Sequence, residues 1–123
     1  MEEKPGELLN VSAIDLLETN LEHLYTFREP AEVIQFLENH RFLIPLLGEA
    51  HVQLKNYFGP SAQIFLEVVV DPEVEDDREL VAFVHTDLSA DEAFERLRQF
   101  DRDWWLDASV EAQGALSIHV EFQ

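Results

Sequence analysis

QIFLEVVV (residues 63–70), LVAFVHT (80–86), SADEAFERLRQFDRDWW (89–105) and LSIHVEF (116–122) follow one another along the second half of the chain, and their changing periods decide the fold. In the first run Ile64, Leu66, Val68 and Val70 fall on one side and Phe65, Glu67, Val69 and Asp71 on the other, the period of two of a strand. Leu80 to Thr86 predicts a second strand, antiparallel to the first. Leu116, Ile118, Val120 and Phe122 alternate with Ser117, His119 and Glu121 in a third. Between the last two the period becomes helical: Phe94, Leu97, Phe100 and Trp104 form a stripe behind Ser89 and Glu92, which are spaced as a capping box.

Upstream the pattern is helical. Ser12 precedes Ile14, Leu17, Leu21 and Leu24, and Asp15 sits where an acidic side chain favours a helix N-terminus, predicting a first helix over 13–26. Pro30 suits the first turn of a second helix that carries Val33, Ile34 and Leu37 and ends near His40 and Arg41. Pro45 predicts a break, and a third helix through Val52, Leu54 and Tyr57 stops at Gly59–Pro60. The expectation is a single α+β domain over residues 1–123, with 1–11 flexible, a helical part over 12–58 and a β-β-α-β part over 62–123. Placing the third strand beside the first gives a three-stranded antiparallel sheet in order 2-1-3, with a crossover helix between strands 2 and 3 and the N-terminal helices packed on it. Leu66, Val68, Ile118 and Val120 are then expected to be buried on one face.

The composition narrows function more by charge than by motif. Twenty-six acidic residues against eight basic ones give a formal net charge of −18. Residues 62–123 hold 16 acids and 4 bases, a net −12, and six of the nine residues from Asp71 to Glu79 are acidic. Such a charge repels nucleic-acid phosphates and steers basic proteins. There is no Cys, hence no disulfide or thiolate chemistry, and the N-terminus lacks a signal-peptide pattern; a cytoplasmic protein without a membrane segment is expected.

Chemistry-bearing patterns fail one by one. An EF-hand begun at Asp71 needs Gly and Glu where Asp76 and Ala82 stand. A nuclease reading lacks a lysine near the acidic hairpin, since the chain has only Lys4 and Lys55. No serine has a nucleophile-elbow context, and no glycine-rich phosphate loop exists. His85, His119, Glu67 and Glu121 alternate out of phase with the core and can share the open sheet face, where two imidazoles and a carboxylate suit a transition metal. Trp104 and Trp105 point about 100° apart on an α-helix, so one in the core leaves the other at its margin.

The signature Phe100-Asp-x-x-Trp-Trp-x-Asp107, with Leu88-Ser-x-Asp-Glu-Ala-Phe-Glu-Arg-Leu97 before it and Leu116-Ser-Ile-His-Val-Glu-Phe122 after it, resembles a group of small bacterial proteins of cyanobacterial type. The resemblance spans about residues 32–123 and implies no catalytic residue, because the group has no settled activity. The expectation is a non-enzymatic acidic module that binds a basic or amphipathic protein, in the manner of an antitoxin or inhibitor. Glu75, Asp76 and Asp77 would steer the partner and Trp105 would contact it, with no cofactor. The alternatives are a small metal-dependent enzyme using His85, His119 and Glu121 on the open sheet face, and a DNA mimic.

Overall fold

The structure is a computed structural model that describes residues 21–70, 73 and 78–122. Residues 21–24 form a helical turn, followed by the short strand β1 (Thr26–Phe27), helix α1 (Pro30–Asn39), helix α2 (Leu43–Phe58) and the hairpin strands β2 (Gln63–Val70) and β3 (Arg78–His85). Helix α3 (Ala90–Phe100) continues through a π-helical turn (Asp101–Trp105), the single turn α4 (Leu106–Ala108) and a 3₁₀ turn (Ser109–Ala112) to strand β4 (Leu116–Val120). The N-terminal part of the expected first helix, and Glu75, Asp76 and Asp77, lie outside the described residues.

The α+β class holds, but the expected sheet does not. Four strands lie in the order β1-β2-β3-β4, with β1 parallel to β2, β2 antiparallel to β3 and β3 parallel to β4. The three alternating runs are thus ordered 1-2-3, not 2-1-3, and the sheet is mixed. One cause is that the outer edge of β2 is already taken: Thr26 and Phe27 pair with Phe65 and Leu66, and the Arg28 amide donates to the Leu66 carbonyl at 2.8 Å. Another is that a crossover through a helix returns the chain parallel to the strand it left, so β3, α3 and β4 form a βαβ unit of adjacent strands.

One face of this sheet carries the core. Ile64 and Leu66 of β2, Leu80, Ala82 and Val84 of β3, and Leu116 and Ile118 of β4 are buried, while Val68 and Val120 are only partly buried against them. From the helices, Val33, Phe36 and Leu37 of α1 and Leu43, Leu47, Ala50 and Leu54 of α2 close over that face. Phe36 thus joins Val33 and Leu37 in the core, while the expected Ile34 is left half-buried. Tyr25 is buried beside α2, where its hydroxyl donates to the Leu47 carbonyl at 2.7 Å. Burial pushes that phenol's pKa up.

Two local readings change for identifiable reasons. Pro45 does not break a helix: it is the third residue of α2, where its missing N–H would have had no intrahelical acceptor. The chain turns just before it, with the Leu43 amide donating to the His40 carbonyl. The stripe behind Ser89 also shifts. Phe94 is 45% exposed, and Ala93 and Phe100 are the buried residues of α3. Ser89 does cap this helix, its Oγ accepting from the Glu92 amide at 3.2 Å. Ser89→Ala is expected to lower stability by about 1 kcal/mol, readable as an earlier denaturant midpoint with an unchanged slope.

In the π-helical turn, the Leu106 amide donates to the Asp101 carbonyl, one residue further back than in an α-helix. The added residue changes the angular spacing, and both tryptophans reach Phe100. Ring centroids are 5.6 Å apart for Phe100–Trp104, 6.4 Å for Phe100–Trp105, nearly parallel, and 5.9 Å for Trp104–Trp105. Both indoles are half-buried. Beyond them Leu106 and Val110 stand 64% and 75% exposed.

Candidate functional site

The face of the sheet opposite the core is built by the odd-numbered residues of β2, β3 and β4, and by Arg28 just after β1. Arg28 follows Phe27, the partner of Leu66, and so stands level with Glu67 on this face. Its guanidinium lies over two aromatic rings, 4.6 Å from the centroid of Phe65 and 5.2 Å from that of Phe83. Such stacking suits a weakly hydrated planar cation.

Charged partners close around it. Nη1 donates to Glu67 Oε1 at 3.1 Å and to Glu121 Oε2 at 3.2 Å, and Nη2 donates to Glu121 Oε1 at 2.5 Å, a two-pronged grip on one carboxylate. His85 Nε2 lies 2.6 Å from the same Glu121 oxygen and 3.3 Å from Arg28 Nη2. The carboxylate only accepts, so Nε2 carries its proton toward Glu121, and the approach to Arg28 is a contact between two donors rather than a hydrogen bond. Phe65 packs on the His85 ring with centroids 4.5 Å apart.

The electrostatics follow from this geometry. Hydrogen bonds from Arg28 and then His85 hold the Glu121 carboxyl down to about 2. The reciprocal bond from Glu121 raises Arg28, so that the guanidinium is charged at every accessible pH. This joins residues from β1 to β4 in one charged bridge laid across an aromatic floor.

The four residues singled out from alternation, Glu67, His85, His119 and Glu121, therefore do share a face, but they do not converge. His85 and Glu121 meet, Glu67 joins them only through Arg28, and His119 stands apart beside Phe83, ring centroids 6.4 Å away. Among the described residues no group of three His, Asp or Glu side chains could hold a metal ion. Arg28 itself was missed: it lies in a stretch, Tyr25-Thr-Phe-Arg-Glu-Pro30, with no period to place it.

A cleft of about 550 Å³ opens at the end of the bridge, where β2 begins and β3 and β4 end. Ser61, Gln63, Thr86, Asp87 and Phe122 line it together with the paired His85 and Glu121. Trp105 lies elsewhere, at the π-helical turn, and contributes its stacked face to the core.

Comparison of the chain with protein-family models, with curated proteins and with solved structures gives no match. Among the described residues no helix is long and apolar enough to cross a membrane.

Proposed function

We propose that the protein is a non-enzymatic acidic module that binds a basic protein, in the manner of an antitoxin or inhibitor, in the cytoplasm. One observation carries this reading: half of the basic minority is already engaged by groups of the molecule itself. Arg28 is held by Glu67 and Glu121, Arg98 by Glu95, Arg96 by the Tyr57 carbonyl, and Lys55 by the Pro60 and Ala62 carbonyls. Four of the eight basic residues are thus engaged, whereas no charged residue is buried among the described ones. The acidic surplus consequently faces solvent with few neighbouring cations to offset it, the field that steers a basic partner.

Acidity supplies rate and apolar contact supplies residence. Leu106 and Val110, next to Trp105, are the exposed apolar side chains best suited to the second task, and Glu75, Asp76 and Asp77 are the charges for the first. Association with a co-purified basic protein is expected to slow as ionic strength rises from about 0.1 M to about 1 M, where the screening length falls from about 10 Å to about 3 Å. Reversing Glu75, Asp76 and Asp77 should slow association and flatten that salt dependence. Leu106→Ser with Val110→Ser should instead speed dissociation. Stopped-flow or surface-based kinetics read both, and an association rate indifferent to salt and to the triple reversal would sink the reading.

A further inference from the structure

We infer that the cleft at the carboxyl ends of β3 and β4 is a recognition pocket for a single basic side chain of the partner, an inference that rests on the binding reading above. The location follows from the strand register. Gln63 pairs with His85, and the Glu121 amide donates to the Val84 carbonyl, so the start of β2 and the ends of the parallel pair β3 and β4 come together at one end of the sheet. Crevices beyond the carboxyl ends of parallel strands are recurrent ligand sites, and about 550 Å³ lies within the usual size of about 300–1,000 Å³.

The lining selects the ligand's charge. Among the described residues, its two ionic side chains besides His85 are carboxylates, Asp87 and Glu121, and no Lys or Arg lines it. Both oxygens of Glu121 are committed to Arg28 and His85, which fixes that wall in place. Asp87 is different: it is exposed and has no hydrogen bond or ion pair among the described residues. An anion is refused for a second reason. The start of α3, two residues beyond Asp87, is capped by Ser89 and carries Asp91 and Glu92 in its first turn, whose charges offset the positive end of the helix.

The remaining walls suit a planar or alkyl-stemmed cation. Phe122 is 45% exposed at the rim, braced edge-to-face by Phe94 with centroids 5.7 Å apart. An aromatic face beside a carboxylate, with Ser61 and Gln63 as neutral acceptors, is the chemistry that receives a guanidinium or ammonium group.

The test titrates the isotope-labelled full chain with three acetylated, amidated tripeptides, Gly-Arg-Gly, Gly-Lys-Gly and Gly-citrulline-Gly, following amide chemical shifts. The expected result is movement of Thr86, Asp87 and Phe122 with the arginine or lysine peptide and none with citrulline, which keeps the shape but loses the charge. Comparing the first two peptides tells which cation the pocket prefers. Asp87→Asn should weaken binding about tenfold, the scale of one charge-assisted hydrogen bond, and Phe122→Ala by a smaller factor. Both positions are exposed, so neither variant threatens the fold. If the cationic peptides shift only residues 71–79, or if Asp87→Asn binds as well as the parent, the pocket is refuted while the acidic-module reading stands. If no cationic peptide shifts any residue, the pocket is refuted, and the salt dependence with the whole partner decides the module reading separately.

Discussion

Phe100→Ala is expected to remove about 3–5 kcal/mol of stability, the largest effect of any single change discussed for this protein. Phe100 is 0% exposed and is the ring on which three others converge: Tyr57 meets it edge-on at 5.8 Å, and both tryptophans lie against it. Its loss removes transfer energy and leaves a cavity between α3, α2 and the π-helical turn that these elements must collapse to fill. Because domains of this size are stable by only about 5–15 kcal/mol, the variant should stand near the threshold of folding. Urea unfolding followed by tryptophan fluorescence measures this directly, since the two indoles adjoin the cavity. A loss below about 1 kcal/mol would mean that α3 does not pack through Phe100.

Arg28→Met should have the second largest effect, about 2 kcal/mol near neutral pH, although it keeps most of the apolar stem. Two carboxylates lose their shared cation, and the stacking on Phe65 and Phe83 goes with it. The effect has a definite pH signature. Glu121 titrates lower in the folded chain than its ordinary 4.5, down to about 2, so its contribution is complete above about 4.5 and disappears as pH falls through about 2. At about 1.4 kcal/mol per unit the full shift would correspond to about 3–4 kcal/mol. The side chain is 35% exposed, however, and solvent screening reduces this to about 1–2 kcal/mol. The parent and Arg28→Met should therefore converge in stability between about pH 4.5 and about pH 2. Parallel denaturation series across that window would show it, and a gap that stays constant down to about pH 2 would rule out the bridge as its source.

What could be read in advance depended on whether a segment repeats. β2, β3, β4 and α3 each contain several residues in phase, and each was legible. β1 is two residues long and has no period, yet by occupying the edge of β2 it decides the sheet order. Pro45 misled because its meaning depends on the helix start, which is set by the turn at His40 to Leu43 rather than by the proline. The tryptophan pair misled for another reason: the 100° step presumes an α-helix, and the π-helical turn suspends that step for five residues. For the open face, alternation correctly grouped Glu67, His85, His119 and Glu121. It could not supply Arg28, whose placement depends on β1, and so could not tell a salt bridge from a metal site.

Strand order equal to chain order has a consequence for synthesis. Each strand of this sheet pairs with the one made immediately before it, but two of these pairings wait for intervening helices: β1 finds β2 only after α1 and α2 are made, and β3 finds β4 only after α3. Until then the outer border of the nascent sheet is β3, whose Leu80, Val81, Ala82 and Val84 are all buried in the finished protein. A chain halted before Leu116 would thus display its most deeply buried strand with a row of unpaired amides and carbonyls, inviting pairing with another nascent copy. Leu116 to Val120 cover that border when they pair with β3.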